Sequence, residues 1–160
     1  MDRHCILVVD DEPTVRSSLA RLLQREGYDT LLAESAEDGL ALLEKRSVSA
    51  IISDYRMPGP SGIDFLNKVK AQYQKPMRIL LTLHTDMSEV MPAVDKGLVS
   101  HLLMKPWDNE VLVKTVGRLI EEFERAYPAL IPVSPAGTPT SRSGLKEPLW
   151  GESSSTIDPA

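Results

Sequence analysis

Cysteine is almost missing from this chain: Cys5 is the only one among 160 residues, so no disulfide can form within it. Its setting in the apolar run Cys5-Ile6-Leu7-Val8-Val9 suits a small core residue rather than a redox centre. Positive charge is also in short supply. Eighteen Lys and Arg stand against 23 Asp and Glu, for a net charge of −5 and a pI near 5.2. Without a basic cluster, neither nucleic acid nor an anionic membrane surface is an expected partner. No segment approaches the roughly 20 apolar residues of a membrane span. The apolar run after Met1-Asp2-Arg3-His4 is too short for a signal-peptide core, so a cytoplasmic location is expected. His4, His84 and His101 lack the spacing of a zinc site.

What the chain does have is a regular alternation. Its length suits one domain of ordinary size, and 42% hydrophobic residues can fill one core. A first strand over 5–9 precedes a helix from Thr14 to Glu26, with Val15, Leu19, Leu22 and Leu23 as its apolar stripe and Gly27 as a left-handed C-terminal cap. A weaker strand follows over 28–33. Ser35-Ala36-Glu37-Asp38 resembles a capping box that opens a helix with Leu40, Leu42 and Leu43.

The third strand, 49–53, leads through the loop Met57-Pro58-Gly59-Pro60-Ser61-Gly62 into a helix marked by Ile63, Phe65, Leu66 and Val69. A fourth strand over 77–81 precedes a helix near 86–96 that Pro92 should delay or distort. A fifth strand covers 99–104, and Asp108 caps a last helix with Val111, Leu112, Val116, Leu119, Ile120 and Phe123 on its stripe. Strands one, three, four and five are nearly continuous apolar runs, as in parallel strands covered on both faces. The pattern predicts an α/β fold with a doubly wound, five-stranded parallel sheet.

After Tyr127 the composition changes. Residues 128–160 hold six of the twelve prolines with many Ser, Thr and Gly and no apolar period, which predicts a disordered tail after a domain of residues 1–127. Leu145 and Leu149-Trp150 form a small apolar island within it.

Four of the apolar runs end in a chemically useful residue. The first reaches Asp10-Asp11, the third Asp54, the fourth Thr82 and the fifth Lys105. Ligands of open α/β sheets bind beyond the carboxyl ends of the strands, so these residues should meet in one crevice. A carboxylate pair, a lone carboxylate, a hydroxyl and an ammonium can together hold a divalent cation and a phosphoryl group. Taken singly, each has an ordinary explanation: Asp10 and Asp11 as helix-entry acids, Asp54 as a turn residue, Thr82 as a strand end, Lys105 as a solvated lysine. Their joint occurrence at four strand ends is what argues for chemistry.

Asp10-Asp11 with Glu12-Pro13, Ser53-Asp54 with Met57-Pro58-Gly59 and Gly62, then Thr82, then Lys105-Pro106-Trp107, make the chain resemble the receiver domain of bacterial two-component response regulators. The resemblance runs from about Cys5 to Phe123 and implies a (βα)5 flavodoxin-like receiver fold. It implies that Asp54 accepts a phosphoryl group from a sensor histidine kinase or phosphotransfer protein. Mg2+ or Mn2+ would be held by the carboxylates of Asp10, Asp11 and Asp54 and the backbone carbonyl of Arg56, since hard cations take oxygen ligands. Lys105 and Thr82 would bind phosphoryl oxygens, and the Lys105–Pro106 bond would be cis. Output would pass by protein contact to an effector, or through a phosphorylation-dependent homodimer, with no DNA-binding output domain expected. Catalysis beyond self-phosphorylation and dephosphorylation is not expected.

Departures from the family pattern bear on the readout. Leu83 stands where the family has a small residue, beside the phosphorylation pocket. Leu102 stands where an aromatic ring normally switches inward, and Pro92 falls in the helix that normally responds. Arg56 and His84 flank the site where the lifetime of the phosphoryl group is tuned. A phosphorelay role for His84 is disfavoured by its loop position. Two alternatives follow: a receiver-like adaptor that is never phosphorylated, and a Mg-dependent phosphohydrolase with an aspartate nucleophile. The second would need a D-x-D motif after strand one, which Asp10-Asp11-Glu12 lacks.

Overall fold

The computed structural model describes residues 3–131. Of the tail expected over 128–160, residues 132–160, with the Leu145 and Leu149-Trp150 island, lie outside the described residues. Five strands, β1 (Cys5–Val9), β2 (Asp29–Ala33), β3 (Ala50–Asp54), β4 (Met77–Thr82) and β5 (His101–Met104), form one sheet in the order β2-β1-β3-β4-β5. Every pairing is parallel, so all five carboxyl ends point to one edge. Helices α1 (Pro13–Arg25) and α5 (Asn109–Ala126) cover one face. Helices α2 (Ala36–Lys45), α3 (Gly62–Gln72) and α4 (Met87–Asp95) cover the other. The doubly wound sheet is as expected.

The pleat divides the core in two. Ile6, Val8, Ile52, Ile79 and Leu81 pack with Leu19, Leu23, Leu112 and Val116 on the α1–α5 face. Leu7, Val9, Ile51 and Leu80 pack with Leu43, Phe65, Leu66 and Val90 on the other. Strands β1 and β3 are wholly buried, because each has a neighbour on both edges and helices on both faces. Cys5 is among them, and burial pushes its thiol up to about 11, which fits a core residue.

Several local signals act as expected. Gly27 follows α1 at φ +93, with the Tyr28 amide bonded to the Leu23 carbonyl at 3.2 Å, a Schellman closure. Asp108 caps α5 by accepting from the amides of Glu110 and Val111. Pro92 does lie inside α4, which continues past it to Asp95.

Four expectations need correction. The Ser35 hydroxyl accepts from the Asp38 amide, but the Asp38 carboxylate reaches the Glu34 amide instead of the cap's own, so the reciprocal box is not closed. The closed capping box is at Ser61 and Asp64, opening α3. Val111 is 51% exposed: one turn into α5 it lies off the stripe formed by Leu112, Thr115, Val116 and Leu119. Strand β5 starts at His101 because Ser100 turns its hydroxyl to the Arg78 amide and gives its own amide to the Arg78 carbonyl. As an edge strand it also leaves Met104 exposed, so it is not covered on both faces.

The Arg78 guanidinium, buried below, donates to the carbonyls of Leu98 and Pro76 and pins the segment between α4 and β5 to β4. Beyond α5, a single turn at Pro128–Leu130 brings Leu130 against the core. Among the described residues, no helix is long and apolar enough to cross a membrane.

Candidate functional site

The crevice beyond the sheet's carboxyl edge is a cavity of about 500 Å3, lined by Asp11, Asp54, Arg56, Thr82, Asp86 and Lys105 among others. Asp10 lies behind the lining residues with no exposed surface, 3.4 Å from the Lys105 ammonium. The chain folds that way locally because β1 is held on past its last residue: the Asp10 amide donates to the Ala33 carbonyl, and the Asp10 carbonyl accepts from Arg16. Its carboxylate accepts from the Glu12 amide at 2.9 Å, which turns the chain into α1. Asp11 follows, partly exposed. One carboxylate oxygen from each of Asp10, Asp11 and Asp54 lies within 4.8 Å of the others.

Asp54 ends β3 with its carboxylate 9% exposed. Its backbone is fixed from several directions. The Tyr55 amide donates to the Leu81 carbonyl, the Gly62 amide to the Tyr55 carbonyl, and the Ser53 hydroxyl to the Asp54 carbonyl. Gly62 has no alternative residue here, since a Cβ would overlap the Asp54 carbonyl oxygen. Helix α3 can therefore begin directly against the acid.

Lys105 completes the group. A cis Lys105–Pro106 bond follows it, as expected, and its amide is tied to the Thr82 carbonyl. Its Nζ stands 3.1 Å from Asp54 Oδ1, 3.4 Å from Asp10 Oδ2 and 4.0 Å from Glu12 Oε1. Burial, then the charge of Asp10, push the Asp54 carboxyl up to about 6 against the opposing pull of Lys105. Burial also raises Asp10, opposed by the Glu12 amide and Lys105. Burial alone would lower Lys105, but its hydrogen bond to Asp54 and the charges of Asp54 and Asp10 outweigh that and raise it.

Thr82 is buried beside the pocket, and its hydroxyl donates to the Leu83 carbonyl at 3.3 Å. Leu83 itself is 46% exposed and lines the cavity. His84 begins a single 3₁₀ turn, His84–Asp86, exposed and apart from the residues lining the cavity. Leu102 is half-buried against the cluster that contains Val90 and Ala93 of α4. The structure thus brings Asp10, Asp11, Asp54, Thr82 and Lys105 together with Arg56, Leu83 and Pro106, and leaves His84 and Leu102 outside.

The sequence alone does not mark Asp86. It is 4% exposed at the start of α4, and its carboxylate accepts two hydrogen bonds from Arg56, at 2.9 and 2.8 Å. Glu89 stands 3.6 Å from the same guanidinium and takes the Tyr55 hydroxyl at 2.6 Å. Trp107 and Glu12 also line the cavity. Nothing local marks Asp86 or Glu89, because acids near a helix start are common; only the fold sets Asp86 opposite a residue 30 positions earlier.

The donor set suits a hard divalent cation. Three carboxylates converge and, among the described residues, one ammonium stands near them, an excess of negative charge on oxygen ligands that a small doubly charged ion would relieve.

Comparison with known proteins agrees. The family model "Response regulator receiver domain" matches residues 6–117. The hydrogenase transcriptional regulatory protein HoxA of Cupriavidus necator is 34% identical over 116 residues, covering 72% of this chain and 24% of its own length. The chain thus spans about a quarter of that relative. A response regulator receiver domain protein from Clostridium thermocellum is 30% identical, with a TM-score of 0.72 over 77% of this chain and 98% of its own. The response regulator TrrA from Thermotoga maritima, solved in complex with Mg2+–BeF, is 30% identical with a TM-score of 0.65, covering 72% of this chain and 98% of its own. With the acid crevice formed at the carboxyl end of the sheet, and the family model matching most of the chain, this protein belongs to the response regulator receiver domain family.

Proposed function

We propose that this chain is a phosphoryl-accepting switch in which Asp54 is the nucleophile. The observation that carries the reading is the placement of the buried Asp54 carboxylate 3.1 Å from the Lys105 ammonium and beside Asp10 and Asp11. In the transfer, an Asp54 carboxylate oxygen attacks the phosphorus of a phosphohistidine on a kinase or phosphotransfer protein. The P–N bond breaks, its electron pair returns to the imidazole, and an aspartyl phosphate forms. Lys105 neutralises a phosphoryl oxygen that the carboxylates would otherwise repel. Mg2+ or Mn2+, held by Asp10, Asp11, Asp54 and the Arg56 carbonyl, supplies the remaining neutralising charge when bound. Thr82 gives up its bond to Leu83 and turns its hydroxyl to a phosphoryl oxygen, which couples the β4 end to the phosphorylation state. The signal then passes by protein contact to an effector, or to a second copy, through the region of α4, β5 and α5.

Intact-mass measurement after acetyl phosphate treatment with Mg2+ tests this. One phosphoryl adduct is expected on the wild type and none on Asp54→Ala. An adduct that survives Asp54→Ala, or none on the wild type, rejects the reading.

A further inference from the structure

The Arg56–Asp86 pair raises a question that the phosphorylation chemistry does not answer. Asp86 is the residue that precedes α4, where a carboxylate would ordinarily accept from the helix's free amides, yet its side chain makes no capping bond. Both of its oxygens are taken by Arg56. Arg56 is only two residues from Asp54, its side chain is 62% exposed, and it lines the same cavity. An exposed, permanently charged fork is therefore held at the cavity by a nearly buried acid. Glu89 at 3.6 Å and the Tyr55 ring, 5.6 Å from the guanidinium carbon, are its other neighbours.

We propose that Asp86 is a positioning residue that holds the Arg56 guanidinium away from the phospho-acceptor, and that the phosphoryl group competes with Asp86 for it. The inference rests on the phosphorylation reading above and adds its regulation. A phosphoryl group offers more negative charge than a carboxylate, and three acceptor oxygens to the same fork. When Arg56 moves to it, the Asp86 carboxylate is left beside the free amides at the start of α4 and becomes available to cap them. One charge exchange thus carries the event from Asp54 to α4. That route needs no aromatic ring at Leu102, which already lies against the α4 side of the core. It also acts on a helix that lacks one internal hydrogen bond, since Pro92 has no amide to give the Ser88 carbonyl.

The test is a beryllofluoride titration with Mg2+, followed by Trp107 fluorescence in a Trp150→Phe background, since Trp107 lines the cavity and the chain has two tryptophans. Asp86→Asn should bind beryllofluoride roughly three- to tenfold tighter than the wild type, because Arg56 is no longer held elsewhere. A merely structural role for Asp86 predicts the opposite sign. Arg56→Gln, compared at a temperature where its circular dichroism matches the wild type because Asp86 loses its partner there, should bind severalfold weaker. Asp86→Asn should then have no effect in the Arg56→Gln background. Equal affinity for wild type and Arg56→Gln overturns the proposal, as does weaker binding by Asp86→Asn. If the wild type itself binds no beryllofluoride, the phosphorylation reading fails and this inference falls with it. If it binds while both variants are indifferent, only this inference fails.

Discussion

Helix α3 starts so close to Asp54 that Gly62 has no room for a side chain: a Cβ would run into the Asp54 carbonyl oxygen and crowd Leu80. The obstacle is backbone, which cannot swing aside as a flexible side chain can. Gly62→Ala must therefore push α3 off the end of β3 or tilt the Asp54 peptide. We expect it to lose about 2–4 kcal/mol of stability in urea unfolding, the range of overpacked or strained core sites. The acyl-phosphate yield should fall with it, since the same peptide aims the carboxylate.

The acid crevice should make the metal-free protein more stable at low pH than at neutral pH. The Asp54 carboxyl is raised to about 6 by burial and by Asp10, from an unfolded value near 3.8. Between these values the folded state holds a proton that the unfolded state has lost, so stability falls as pH rises through the window. The penalty is absent below about pH 4 and complete above about pH 6. In EDTA at pH 7.5, Asp54→Asn should raise stability by about 1–3 kcal/mol over the wild type, and near pH 4 the two should coincide. Thermal unfolding at both pH values checks this. Mg2+ should raise the wild-type Tm and move Asp54→Asn less, because a ligand bound only by the folded state stabilises it by mass action.

Lys105 is the counterweight to that repulsion, 3.1 Å from Asp54 and 3.4 Å from Asp10 with its own side chain 16% exposed. Removing one partner of a buried pair leaves the other uncompensated. Lys105→Met should destabilise the metal-free protein by about 2–4 kcal/mol at pH 7.5. Near pH 4, where Asp54 carries its proton, the loss should be smaller. In the Asp54→Asn background it should shrink at pH 7.5 and match the wild-type loss near pH 4, and a double-mutant cycle in urea at pH 7.5 measures that coupling. A loss of equal size in both backgrounds at pH 7.5 would mean that Lys105 acts through packing alone.

Most of the fold and the strand-end residues were legible because each rests on a local signal. Gly27 sits where a left-handed cap is needed, Asp108 precedes an apolar stripe, and the apolar runs stop at Asp10, Asp54, Thr82 and Lys105. What escaped depends on contacts between distant segments. Ser100 shortens β5 only because it meets Arg78 on β4. The Ser35 motif matched a capping box in sequence, yet the Asp38 carboxylate found the Glu34 amide, while Ser61 and Asp64, with the same Ser-x-x-Asp spacing, closed one. Asp86 was unreadable for the same reason, since its meaning comes from Arg56 across the cavity. Val111 followed the hydrophobic pattern but faces solvent, since α5 has only one covered stripe.

Pro92 is the clearest place where the sequence works against its own helix. It occupies the middle of α4 on an exposed position, and the helix still closes after it, with the Lys96 amide bonded to the Pro92 carbonyl at 3.1 Å. The missing amide denies the Ser88 carbonyl its usual partner four residues on, and a proline ring at that position crowds it. An interior proline costs about 3 kcal/mol relative to alanine, but proline also limits the unfolded chain by roughly 0.4–1 kcal/mol. Pro92→Ala should therefore stabilise the protein by about 2–2.6 kcal/mol in urea unfolding. The added hydrogen bond should appear as slower amide exchange across Met87–Asp95. If α4 is kept loose so that it can respond at Asp54, the stiffened variant should show a smaller change in that exchange when beryllofluoride and Mg2+ are added. An unchanged response alongside the gain in stability would separate the proline from the switch and leave it as a local defect of α4.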